Sequence, residues 1–214
     1  MKKVFAVLVA ILLCSVLAMC IGQKTLPESF IQEYQKIETT QKEIEITYKA
    51  YEDQVNERVE YIQKNNTLDE FNNSNIDHDY VLSLLESELL IIDELDQKSS
   101  IYSSQINELF AKTKDIENNE VKSKSNELVI ILRNSQQYLT NGVARLRTAT
   151  KVTGSVLYYY ATDANLSDSK IKTEIENLNL ESKTGFDEAV LALNNYYTLS
   201  LDANSTYQEL KKLK

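Results

Sequence analysis

The stretch from Phe30 to Ile62 constrains this chain most. Phe30, Tyr34, Ile37, Gln41, Ile44, Tyr48, Tyr51, Val55, Val59 and Ile62 recur at alternating steps of four and three residues. That spacing is close to the 3.5-residue period at which one helix buries a narrow stripe against another. The same spacing returns three times. A second stripe holds Leu85, Glu88, Ile92, Leu95, Ser99, Tyr102, Ile106, Leu109, Thr113 and Ile116. A third holds Ser125, Leu128, Leu132, Ser135, Leu139, Gly142, Leu146, Ala149, Thr153, Val156 and Tyr160. A fourth holds Ile171, Ile175, Leu178, Ser182, Gly185, Ala189, Leu193, Tyr196, Ser200, Ala203, Tyr207 and Leu210.

Three polar breaks separate these segments, at 64–78, at Asn118-Asn119 and at 163–168. Asn, Asp and Ser compete for backbone hydrogen bonds and so favour turns and caps. Asp77 or Asp79 is placed to cap the second helix, and Ser167 or Asp168 the fourth. Pro27 suits the start of the first, where its missing N–H is no loss. The four segments are about 37, 39, 44 and 46 residues long by these breaks, so each can pair along its whole length. The expectation is an all-α fold: an elongated, antiparallel, up-down-up-down four-helix bundle with coiled-coil-like seams, spanning 28–214. With one Pro and four Gly in 214 residues, few turns are available, which agrees.

Two details set the order of the helices. Folding the third helix back on the fourth near residue 165 puts Gly142 opposite Ala189. Gly142, Ala149, Gly185 and Ala189 then line one close contact. The third helix is net basic and the others net acidic, which favours acidic neighbours on both its sides. Gly154 and Gly185 mark where a kink would fall if those helices were interrupted.

The first 19 residues read as a separate unit. Met1-Lys2-Lys3 precedes an uncharged apolar run from Val4 to Ile21. A basic start followed by an apolar core is the pattern of a secretory signal or membrane anchor. Leu17-Ala18-Met19-Cys20 resembles a prokaryotic lipobox, archaeal in style, and departs from it at Met19, where Gly, Ala or Ser is usual. The resemblance implies a lipoprotein signal peptide, cleavage before Cys20 and lipidation of that residue. Two other endings stay open: a cut after Ala18 in Val16-x-Ala18, or retention of the segment as an anchor with Lys2 and Lys3 on the cytoplasmic side. Each ending places residues 20–27 as a tether and 28–214 as a domain at the cell membrane, facing outside the cytoplasm. Loss of Lys2 and Lys3 with the leader would take the charge from −9 to −11. An acidic surface lacks the basic footprint that nucleic acid requires, so nucleic acid is not an expected partner. No Cys follows position 20, so the exported part would rely on packing alone.

Candidate chemistry is sparse. His78 is the only histidine, which removes paired Glu-x-x-His metal sites and leaves a catalytic triad without a nucleophile elbow. Asn73, Asn75, Asp77 and Asp79 alternate like the start of a calcium loop, a weak metal candidate. Position 78 is His where that turn wants Gly, and position 84 is Leu where a closing Glu is needed. An Asn/Asp-rich turn leading into a cap accounts for the same residues. No cofactor is expected. Asn65, Asn72 and Asn165 are glycosylation sequons in loops, and Asn204 is a fourth sequon, at a rate composition alone produces. Tyr158-Tyr159-Tyr160 and Tyr196-Tyr197 must each expose a ring, because neighbouring helix positions point apart. Gln41, Glu88, Ser99, Ser135, Ser182 and Ser200 put polar groups on the seams. They serve either as a polar cavity or to set register, and their spacing suggests no shared level along the rod. The sequence thus predicts a non-enzymatic, membrane-anchored scaffolding or protein-interaction role at the cell envelope, with its protein partner unspecified. The alternative is an extracytoplasmic, sensor-type ligand-binding bundle acting through a partner.

Overall fold

The computed structural model describes residues 26–65, 76–161 and 168–213. Cys20 and the leader, and Asn72, Asn73, Asn75 and Asn165, lie outside the described residues. Four helices account for nearly all of the rest: α1 (Glu28–Asn65), α2 (His78–Lys112), α3 (Asn119–Ala161) and α4 (Ser169–Leu210). They pack in sequence as an antiparallel bundle, with Tyr34 of α1 stacked on Tyr207 of α4 to close the ring of helices. At 1.5 Å per residue α3 is a rod of roughly 65 Å.

The helix starts follow from local chemistry. The Pro27 carbonyl accepts from the backbone N–H groups of Phe30 and Ile31, so Pro27 sits at the cap rather than inside the first turn. Asp77 caps α2 by accepting from the Tyr80 N–H at 3.1 Å. Asn118 does the same for α3 with Glu120 and Val121, and Asp168 for α4 with Lys170. Each satisfies donors that the first turn of a helix otherwise leaves unpaired. α2 ends earlier than the Asn118-Asn119 break suggested. It tightens into a 3-10 turn over Thr113–Asp115, yet Thr113 and Ile116 stay buried and extend its seam.

The seams run where the periodicity puts them, with one change of register. Val59 is 37 % exposed, and the buried position is Arg58, which pairs with the fully buried Glu88 of α2. α3 and α4 are the closest pair of helices. A Cβ on Gly142 would lie 2.7 Å from Leu193 Cγ, and one on Gly185 3.0 Å from Ala149 Cβ. Absent side chains therefore allow the approach that Gly142, Ala149, Gly185 and Ala189 promised. Both helices run unbroken through Gly154 and Gly185. The basic groups of α3 reach acids on both neighbours: Arg147 bridges Asp93 and Asp96 of α2, while Lys124 and Arg145 meet Glu209 and Glu188 of α4.

Candidate functional site

The seam between α1 and α4 is built differently from the others. Small residues draw α3 against α4, whereas α1 and α4 meet through Tyr34 and Tyr207, whose rings stack at 3.7 Å. Large side chains at the contact hold helix axes apart. α1 and α4 are accordingly the neighbouring pair whose backbones approach least. Beyond the Tyr34–Tyr207 contact the seam opens into a groove of about 510 Å³. Gln41 and Tyr48, seam positions of α1, are only half-buried there.

The groove floor is Ile44, Leu95, Leu193 and Tyr196, all buried. One bank carries Glu38, Lys42, Glu45, Tyr48, Lys49 and Glu52 of α1. The other carries Asn194, Tyr197, Ser200, Leu201 and Asn204 of α4, with Tyr197 and Leu201 about half exposed.

Beneath the groove a hydrogen-bonded layer crosses all four helices. Gln41 Nε2 donates to the Tyr102 hydroxyl at 3.0 Å, and that hydroxyl lies 3.4 Å from Ser135 Oγ. Ser135 Oγ is 3.1 Å from Ser200 Oγ, and both serines reach the Tyr196 carbonyl, at 3.3 and 2.9 Å. The expectation that the polar seam residues share no level is therefore corrected. Gln41, Ser135 and Ser200 lie at one level, joined by a tyrosine that spacing alone had assigned to packing. Side-chain length explains the miss: Tyr102 spans the core and links positions whose Cα atoms are not opposite one another. The other polar seam residues pair elsewhere, Ser99 with Thr140, Ser182 with Thr153, and Glu88 with Arg58.

Burial keeps these phenols protonated. It pushes Tyr48 up to about 12, with the carboxylate of Glu52 adding to the effect. It raises Tyr196, and raises Tyr102 against the opposing hydrogen bonds from Ser135, Gln41 and Ser200. A buried phenol loses the solvation its anion needs. The groove therefore offers neutral hydroxyls, amides, three carboxylates and two ammonium groups around an apolar floor.

The remaining sequence candidates are dispersed. His78 is the first residue of α2, Asp77 is its cap, and Asp79 lies in its first turn. Among the described residues no group of three or more His, Cys, Asp or Glu is placed to hold a metal ion. Asn65 closes α1 and donates to the Tyr61 carbonyl at 2.8 Å. Tyr158 and Tyr197 are the exposed rings of their clusters, and only Tyr197 lies in the groove. None of the described helices is long and apolar enough to cross a membrane. On the α4 bank, the ring that Tyr196-Tyr197 was expected to expose is Tyr197, whereas Leu201 lies off the seam and carried no sequence expectation. The available signal was that apolar side chains occupy those outward positions. No family model, curated protein or solved structure matches this chain.

Proposed function

We propose that this protein is a membrane-anchored, extracytoplasmic helical module that works by binding another envelope protein. The observation that carries this reading is the α1/α4 seam, which leaves a groove with an apolar floor uncovered beside half-exposed Tyr197 and Leu201. Aromatic residues of this kind are enriched where proteins meet. The apolar run from Val4 to Ile21 and the lipobox-like Leu17-Ala18-Met19-Cys20 support the anchor. Native mass spectrometry of the full-length product extracted from its host's membranes tests it. The expected species begins at Cys20 with lipid attached, or keeps its leader, and carries a second protein. A lipid-free product recovered without membrane and without a partner would overturn the proposal.

A second reading is a sensor-type bundle that binds a small polar ligand. Gln41 and Ser200, the two members of the polar layer that line the groove, favour it, because a few polar groups on an apolar surface are what a ligand pocket needs. Extra small-molecule mass that survives gentle handling and vanishes on denaturation would put this reading first.

A further inference from the structure

We infer that the α1/α4 groove receives an amphipathic helix of a partner protein, one with a basic row beside its apolar stripe. This rests on the interaction reading above and specifies the partner's chemistry. The groove is long rather than round. It runs from Glu38 to Glu52 along α1, about 21 Å at 1.5 Å per residue, and from Leu193 to Asn204 along α4. That is the form of a missing helix, with a floor ready for side chains at i, i+3, i+4 and i+7.

The charges state what that helix must carry. Glu38, Glu45 and Glu52 recur every seven residues beside the seam, the flank that selects partners in a coiled coil. Elsewhere on α1, Glu33 pairs with Lys36 and Glu43 with Lys98, whereas Asp53 and Glu60 have no ion-pair partner among the described residues but lie outside the groove. Glu38, Glu45 and Glu52 have no ion-pair partner among the described residues, and Glu52 is engaged only by the Tyr48 hydroxyl. Lys42 and Lys49 lie one step farther out on the helix. The α4 bank is uncharged. A fitting helix is therefore basic on its α1 side and neutral on its α4 side. A second copy of this chain does not supply it. Its net charge is −9, and on its basic helix α3 Lys124, Arg145 and Arg147 are already paired within the bundle, while Lys122, Arg133 and Lys151 recur at no seven-residue spacing.

The test titrates the full-length protein in detergent against two labelled helical peptides of about 18 residues, read by fluorescence anisotropy. Both carry the same leucine stripe; one flank row is Lys in the first and Glu in the second. The Lys peptide should bind at least about tenfold tighter, and the gap should narrow as salt is raised. The Glu45→Lys/Glu52→Lys double variant should reverse the preference, an outcome that misfolding does not mimic. Failure of both peptides to bind, equal binding, or a preference unmoved by the charge swap would overturn the inference. So would a dimer that this double variant dissociates, which would assign the groove to a second copy. A retained small molecule lost on Tyr197→Ala would assign it to a ligand. If the peptides fail while membranes still yield a partner complex, the groove assignment falls and the proposed function stands.

Discussion

Replacing Arg58 by Met should make stability depend on pH in a way that replacing Glu88 does not. The Arg58 guanidinium sits 2.6 Å (Nε–Oε1) and 3.3 Å (Nη2–Oε2) from the Glu88 carboxylate, in a two-point pair. The Glu88 side chain is fully buried and that of Arg58 is 7 % exposed. Breaking a buried pair from one side costs about 3–5 kcal/mol, because the remaining charge is stranded. The two orphans differ in their escape. In Arg58→Met, Glu88 sheds its charge by taking up a proton. From an unfolded value of about 4.3, that costs about 3.7 kcal/mol at pH 7 and about 1 kcal/mol at pH 5. Because a stranded carboxylate is relieved by protonation, the deficit of this variant relative to the parent is largest at pH 7 and shrinks as pH falls. In Glu88→Leu, Arg58 has no such route, because a guanidinium does not deprotonate in proteins. That deficit should be the same at both pH values. Arg58→Met/Glu88→Leu should return to within about 1 kcal/mol of the parent, since an apolar pair of similar volume commonly matches a buried ion pair. Urea unfolding followed by far-UV circular dichroism at pH 5 and 7 gives all four corners of the cycle. At pH 7, Arg58→Met should lower Tm by roughly 8–15 °C. Equal deficits for Arg58→Met at the two pH values, or a double variant as unstable as the sum of the singles, would refute the reasoning.

Other outcomes follow from the same packing. Tyr34 is fully buried and its hydroxyl has no hydrogen-bond partner among the described residues. Tyr34→Phe should therefore stabilise by about 1 kcal/mol while keeping the stack on Tyr207. Tyr102→Phe, which cuts the polar layer, should destabilise by about 1–2 kcal/mol in the same melts. A Cβ at Gly154 meets only Leu85 Cδ1 at an ordinary 3.8 Å, so Gly154→Ala should stabilise by about 0.5–1 kcal/mol. At Gly142 the added carbon would press on Leu193 Cγ, so Gly142→Ala should destabilise by about 1–3 kcal/mol, less the helix-propensity gain. Stability should also fall in alkali. Burial raises Tyr48 to about 12 and lifts Tyr34, Tyr51, Tyr102 and Tyr196 as well. Unfolded tyrosine ionises near 10. Their contribution is complete below about pH 10 and drains away as pH rises toward 12, which denaturant midpoints across that interval will show.

Helix number, direction and neighbour order were legible because they depend on properties local to each helix. A seam at 3.5-residue spacing must be buried, and Gly142 and Gly185 had a use only if another backbone came close. Arg58 was hidden by its own chemistry. A charged side chain reads as solvated until a buried acid on another helix is known, so Val59 was preferred one position along. The groove was illegible for a different reason. Its width depends on how far Tyr34 and Tyr207 prop α1 from α4, a quantity set by two side chains about 170 residues apart. The polar layer likewise needed the reach of Tyr102 across the core. Off-seam Tyr197 and Leu201, read together with the seven-residue run of Glu38, Glu45 and Glu52, would have been the sequence-level hint.

The Tyr34–Tyr207 stack also sets heights. It puts the start of α1 and the end of α4 at one end of the rod, and the Asn65 and Asp77 ends of α1 and α2 at the other. On the proposed membrane anchor, a tether entering ahead of Pro27 would hold the rod by this foot. Counted along α1 at 1.5 Å per residue, the groove begins roughly 15 Å above that foot and ends roughly 36 Å above it, while the far tip stands at roughly 55 Å. The rod would then act as a ruler: a helix lying in its groove would run parallel to it and clear of the tethered end, leaving the far third of the rod to project beyond the pair.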